Sequence, residues 1–86
     1  MKHHATPRFW QAYDKLPLEI QRLADKNYAL WQADPAHSSL HFKKVGRFWS
    51  VRIGLNYRAL GVGAPDETLV WFWIGSHAEY DRLLTR

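Results

Sequence analysis

The sequence predicts an α+β protein: an N-terminal helical hairpin packed on a four-stranded, largely antiparallel sheet, with a short C-terminal helix. Three observations lead there. Apolar residues recur at helical spacing up to Ala33, they alternate at strand spacing from Leu40, and a helix-start pattern returns at Ser76.

The first helix begins at Thr6-Pro7, because Thr can cap and Pro is tolerated in the first helical turn. Phe9, Tyr13 and Leu16 follow on one face, and Pro17 breaks the helix. A second helix runs from about Leu18 to Ala33, with Ile20, Leu23, Ala24, Tyr28, Leu30 and Trp31 as its apolar positions. Asp34-Pro35 ends it, since a residue before proline resists the α region. Two helices joined by so tight a turn form an antiparallel hairpin.

Leu40 to Lys43 alternates apolar and polar, as a half-buried strand does. Gly46-Arg47 is a two-residue turn with Gly where a positive φ is wanted. Trp49, Val51 and Ile53 share one face of the next strand, and Ser50 and Arg52 share the other. Gly54-Leu55-Asn56 turns into a third strand, Tyr57 to Val62. After a loop from Ala64 to Thr68, the run Leu69 to Ile74 is continuously apolar, which suits a central strand covered on both faces. The run Trp71-Phe72-Trp73 is read as core from this strand context. Ser76-His77-Ala78-Glu79 is a capping box that starts a last helix running to the C-terminus, with Tyr80, Leu83 and Leu84 on one face. A short strand before Thr6 is a weaker expectation.

Composition limits the possible functions. At 86 residues the chain reads as a single domain, 1–86, with five Trp, four Tyr and four Phe to supply apolar area. There is no cysteine, which excludes disulfides, thiolate metal sites and a Cys nucleophile. The N-terminus has no apolar stretch of the signal-peptide kind, and no run approaches the ~20 residues that span a bilayer. No membrane partner is expected, and the expected compartment is the cytoplasm. The net charge of +4 suggests an anionic partner, with nucleic acid the first candidate. A metal site could be imagined from His3 and His4 with His37, His41 or His77. No helical i, i+4 histidine pair supports it, so neither metal nor cofactor is expected.

Three segments, in order, resemble RelE/ParE-type toxins of type II toxin–antitoxin systems. They are Trp31-Gln32-Ala33-Asp34-Pro35 with Ser39-Leu40-His41-Phe42-Lys43-Lys44; Trp49-Ser50-Val51-Arg52-Ile53-Gly54 running to Tyr57-Arg58-Ala59-Leu60; and Trp73-Ile74-Gly75-Ser76-His77-Ala78-Glu79-Tyr80-Asp81. The last is similar to the ending of HigB-like members. The resemblance implies a partner antitoxin and, in many members, cleavage of mRNA on the ribosome. Members of the ParE branch inhibit DNA gyrase instead, and a degenerate member would only bind its antitoxin.

Metal-free RNA cleavage needs a base for the 2′-hydroxyl, a cation for the phosphate and an acid for the leaving 5′-oxygen. The resemblance puts Arg58 at the recurrent strand arginine that contacts the scissile phosphate; pairing with a carboxylate is the structural alternative. Arg58 shares parity with Leu60 and Val62, which look like core, so it must sit at a rim or on a differently covered face. Arg52 matches a second basic position, whereas Ser50 stands where RelE has lysine. His77, in the first turn of the last helix, is the acid/base candidate, since that position favours the neutral imidazole a base requires. Lys43, Lys44 and His41 are candidate RNA contacts, although the adjacent lysines point to opposite sides of a strand. Glu79 reads as the capping partner of Ser76. Tyr80 either stacks on a base or packs the helix down.

Overall fold

The computed structural model describes residues 2–84. The order is β1 (Lys2–Ala5), α1 (Pro7–Asp14), α2 (Leu18–Ala33), a 3-10 turn (Ser38–Leu40), β2 (Lys43–Val45), β3 (Phe48–Ile53), β4 (Tyr57–Ala64), β5 (Thr68–Ser76) and α3 (His77–Leu84). The helix starts follow local chemistry. Thr6 Oγ1 accepts from the Phe9 amide at 3.1 Å, and Ser76 and Glu79 exchange capping hydrogen bonds at 3.2 and 3.3 Å. The expected run of α3 to the C-terminus lies partly outside the described residues.

The sheet has five strands, not four, in the order β1-β5-β4-β3-β2, and it is mixed. The added strand is the N-terminal one: Lys2–Ala5 pairs parallel with Thr68–Trp71 on β5. The other pairs are antiparallel. The first meander strand also begins later than its alternation suggested. Leu40 closes the 3-10 turn fully buried, and His41 takes left-handed backbone at φ 45°. The apparent period of Leu40 to Phe42 is therefore that of a turn which points Leu40 inward, and pairing begins at Lys43.

Both sheet faces are apolar. The hairpin covers one, burying Ala24 and Trp31 of α2 against Val51, Ile53, Ala59, Leu69, Trp71 and Ile74. α3 covers part of the other, where Tyr80 packs on Leu60 and Trp73. A bulge makes this possible. Leu60 pairs with Trp73 and Gly61 with Trp71, leaving Phe72 as the extra residue. Trp71 and Ile74 thereby face the hairpin while Trp73 faces α3, which simple alternation forbids. At Gly61 the tryptophan lies so close that a Cβ would sit 3.0 Å from Trp71 Cε3. Gly54, at φ 62°, turns β3 into β4 under Leu23, whose Cδ2 would lie 2.8 Å from an added Cβ.

Candidate functional site

The face under α3 collects most of the polar residues singled out in the sequence. Directly paired residues of an antiparallel ladder project to the same side. Arg52 pairs with Arg58, and Ser50 pairs with Leu60 on one side and Lys43 on the other. Lys43, Ser50, Arg52, Arg58 and Leu60 thus share one face. Lys44, paired with Trp49, projects to the hairpin side. The parity of Arg58 with Leu60 is real, and it stops being a conflict once the sheet has two covered faces.

Arg58 reaches under the start of α3, its guanidinium carbon 5.4 Å from the centroid of the Tyr80 ring. Its Nε and Nη1 are buried and have no hydrogen-bond partner in the protein. Arg52 is anchored: Nε donates to the Gly54 carbonyl at 2.9 Å, and Asn27 Nδ2 holds the Arg52 carbonyl at 3.1 Å. Arg52 Nη1 lies 3.3 Å from His41 Nε2. The left-handed turn at His41 therefore delivers this ring to the site even though it is not on a strand. Arg52 and Arg58 are like-charged cross-strand partners on one face, and among the described residues no carboxylate forms an ion pair with either.

His77 lies against the same Tyr80 ring as Arg58. Its amide donates to the Asn56 carbonyl at 2.6 Å, tying the β3–β4 turn to the head of α3. Its ring lies 5.7 Å from Tyr80, between centroids. Nδ1 is 3.1 Å from Asp81 Oδ2, so a proton on Nδ1 leaves Nε2 as the acceptor. Sequence reasoning missed Asp81, although its spacing of four from His77 was a usable signal. It also missed Asn27, whose role depends on tertiary contact alone.

Burial bears on two of these positions. Tyr80 is only 7% exposed and offers one side to Arg58 and its body to Leu60 and Trp73, so it packs the helix down and presents no ring to a base. Ser50 is fully buried with an unpartnered hydroxyl, so no solvent-facing group occupies that position. Among the described residues no group of three or more His, Cys, Asp or Glu converges as a metal site. His3 instead bonds Tyr28 and Gln32, and His37 bonds Ser39.

No protein-family model matches the sequence, and no curated protein matches it. Solved structures do match. The RelB–RelE antitoxin–toxin complex from Methanococcus jannaschii aligns with a TM-score of 0.69 at 17% identity, covering 91% of this chain and 95% of that one. The RelBE2 toxin–antitoxin complex from Mycobacterium tuberculosis gives 0.62 at 20% identity, covering 88% and 96%. The YoeB/ParE toxin from Agrobacterium tumefaciens gives 0.65 at 15% identity, covering 90% and 99%. At these identities the likeness is one of fold: the chain has the architecture of RelE, YoeB and ParE toxins.

Proposed function

We propose that this chain is the toxin of a type II toxin–antitoxin pair, of the HigB-like branch, and that it is a metal-independent, ribosome-dependent mRNA endonuclease of the cytoplasm. The observation that carries the reading is the Arg52–Arg58 cross-strand pair: two cations with no carboxylate ion-paired to either among the described residues, one holding buried, unpartnered N–H donors. A phosphate bound between them would relieve the repulsion and accept those donors. Arg58 and Arg52 then stabilise charge on the phosphate. His77 Nε2 takes the 2′-hydroxyl proton as the 2′-oxygen attacks phosphorus, with Asp81 orienting the ring. The bond to the 5′-oxygen breaks, that oxygen takes a proton from water, and a 2′,3′-cyclic phosphate remains. Lys43, cross-strand from Ser50 on the same face, supplies positive charge where RelE has lysine and this chain has Ser50. Lys43 and His41 extend the contact to RNA, and Lys44 projects away from it. The cognate antitoxin is the expected protein partner, in line with neighbours solved as antitoxin complexes. No helix among the described residues is long and apolar enough to cross a membrane.

The test is mRNA cleavage in a translating extract by purified, antitoxin-free protein. Wild type should cut, and Arg58→Ala and His77→Ala should lose most of that activity; equal cutting by Arg58→Ala removes the assigned role. The buried Ser50 favours one second reading, a ParE-like inhibitor of gyrase. Inhibition of supercoiling with no RNA cleavage would establish it instead.

A further inference from the structure

In the proposed reaction the departing 5′-oxygen takes its proton from water, so one chemical task has no side chain. The attacking and departing oxygens stand in line on opposite sides of phosphorus. A base on one side of the arginine pair therefore calls for an acid on the other. His77 follows directly on β5 and lies against the Tyr80 ring that Arg58 also meets. Arg58 is on β4 and Arg52 on β3, and the strands run β5-β4-β3-β2 across the sheet. On the far side of Arg52, just before β2, stands His41, whose Nε2 lies 3.3 Å from Arg52 Nη1. The topology thus brings the two imidazoles to the arginine pair from opposite sides.

The main chain fixes the placement of His41. Leu40 is fully buried, and the Leu40 and His41 amides close the 3-10 turn on the His37 and Ser38 carbonyls at 3.1 and 3.3 Å. His41 itself stands at φ 45°, ψ 41°. A side chain costs energy in left-handed backbone that glycine does not, and residues held there cluster at active sites. The His41 side chain is exposed, so its ring is open to a ligand. The charged side chains that the ladder places on this face, Lys43, Arg52 and Arg58, are all cations. A guanidinium can only donate, so Nε2 is the acceptor from Arg52 and the neutral ring carries its proton on Nδ1. A phosphate on Arg52 would take over that N–H, and the anion favours a proton on the freed Nε2. We infer that His41 is the general acid of the reaction, a role that rests on the nuclease reading. The 2′-oxygen bonds to phosphorus as His77 Nε2 takes its proton. The bond from phosphorus to the 5′-oxygen breaks, its electron pair stays on that oxygen, and the oxygen receives the Nε2 proton of the His41 imidazolium in place of one from water. His77 ends protonated and His41 neutral, so the charge balances.

The experiment maps the linkage that the wild type cuts in a ribosome-bound mRNA, then replaces the bridging 5′-oxygen of that linkage by sulfur. A thiolate leaves without a proton, so the sulfur mRNA needs no general acid. His41→Asn keeps the left-handed backbone, which Asn tolerates. It should cut the all-oxygen mRNA about 10²–10⁴-fold more slowly than the wild type and the sulfur mRNA less than about tenfold more slowly. His77→Ala should be slow on both. Equal losses by His41→Asn on the two linkages, or no loss on the all-oxygen mRNA, overturn the general acid and leave the nuclease reading intact. Failure of the wild type to cut either mRNA overturns that reading and this role with it. If His41→Asn does not fold, His41→Gly, which the positive φ accommodates, decides by the same comparison.

Discussion

Replacing Arg58 by methionine should make the protein more stable and, if the proposed function is right, inactive. The Nε and Nη1 of Arg58 are buried without partners, and the side chain faces Arg52 across the ladder. A buried unsatisfied donor costs about 1–3 kcal/mol, and cross-strand like charge adds to that cost. The opposing term is the contact of the guanidinium with the Tyr80 ring at 5.4 Å, worth about 0.5–2 kcal/mol. Methionine keeps an unbranched apolar stem under α3 and replaces part of the ring contact through sulfur, about 0.3–1.5 kcal/mol. The balance favours Arg58→Met by about 1–2 kcal/mol, and in a domain of this size each kcal/mol moves the melting temperature by about 4–8 °C. Circular dichroism melts of both proteins in buffer free of multivalent anions measure this directly. Inorganic phosphate supplies the control. At ten times its Kd it would stabilise the wild type by about 1.4 kcal/mol and leave the variant unmoved. A variant that melts below the wild type without phosphate would refute the reasoning, because the orphaned donors would then cost nothing.

Other changes test the scaffold. Leu60→Ala removes a side chain only 1% exposed between Trp73 and Tyr80; it should cost about 2–5 kcal/mol in urea unfolding and loosen α3 from the sheet. Ser76→Ala deletes the hydroxyl that caps the Glu79 amide and should cost about 1 kcal/mol, read by the same assay. Alkaline pH should destabilise the fold through two tyrosines. Burial raises the pKa of Tyr28 above 10.0, and burial followed by the hydrogen bond to Asp25 raises that of Tyr13. A raised folded-state value means stability that is fully present below pH ~10 and lost as pH climbs through the higher folded value. Urea midpoints from about pH 8 to about pH 11 should fall less for a Tyr13→Phe, Tyr28→Phe double variant than for the wild type.

The parts of the fold legible in the sequence are those with local punctuation. α2 runs from Leu18 to Ala33, as read, because Pro17 and Asp34-Pro35 bracket it chemically. The Ser76 capping box and the positive φ at Gly46 are equally local. β1 has no such marks. Its four residues become a strand because the β5 edge accepts them, a fact of tertiary pairing. The alternation at Leu40 to Phe42 was too short to separate a strand from a turn that buries Leu40. The site was legible as residue types but not as geometry. That Arg52 faces Arg58 depends on the register across the Gly54 turn, and the parity of Arg58 looked wrong only under the assumption of one covered face. The bulge at Phe72, which sends Trp71 and Trp73 to opposite faces, has no signature in an unbroken apolar run.

The two covered faces explain where the unresolved polar groups sit. α3 is an eight-residue helix, about 12 Å long, and it buries Leu60 and Trp73 by laying Tyr80 over them. That same packing takes the Arg58 donors out of water, and among the described residues no hydrogen-bond acceptor meets Nε or Nη1. The remaining orphaned N–H donors among the described residues, on Trp31 and Trp71, lie beneath the hairpin. Most polar groups in a small fold can be satisfied by the fold itself, and departures from that consistency are expected where a ligand completes the structure. A carboxylate placed opposite Arg58 would settle its packing and would also occupy the position proposed for a phosphate. Stability and anion binding therefore compete for the same atoms, which is why both must be measured on the same Arg58 variant: a gain in one without a loss in the other would separate the buried charge from the function proposed for it.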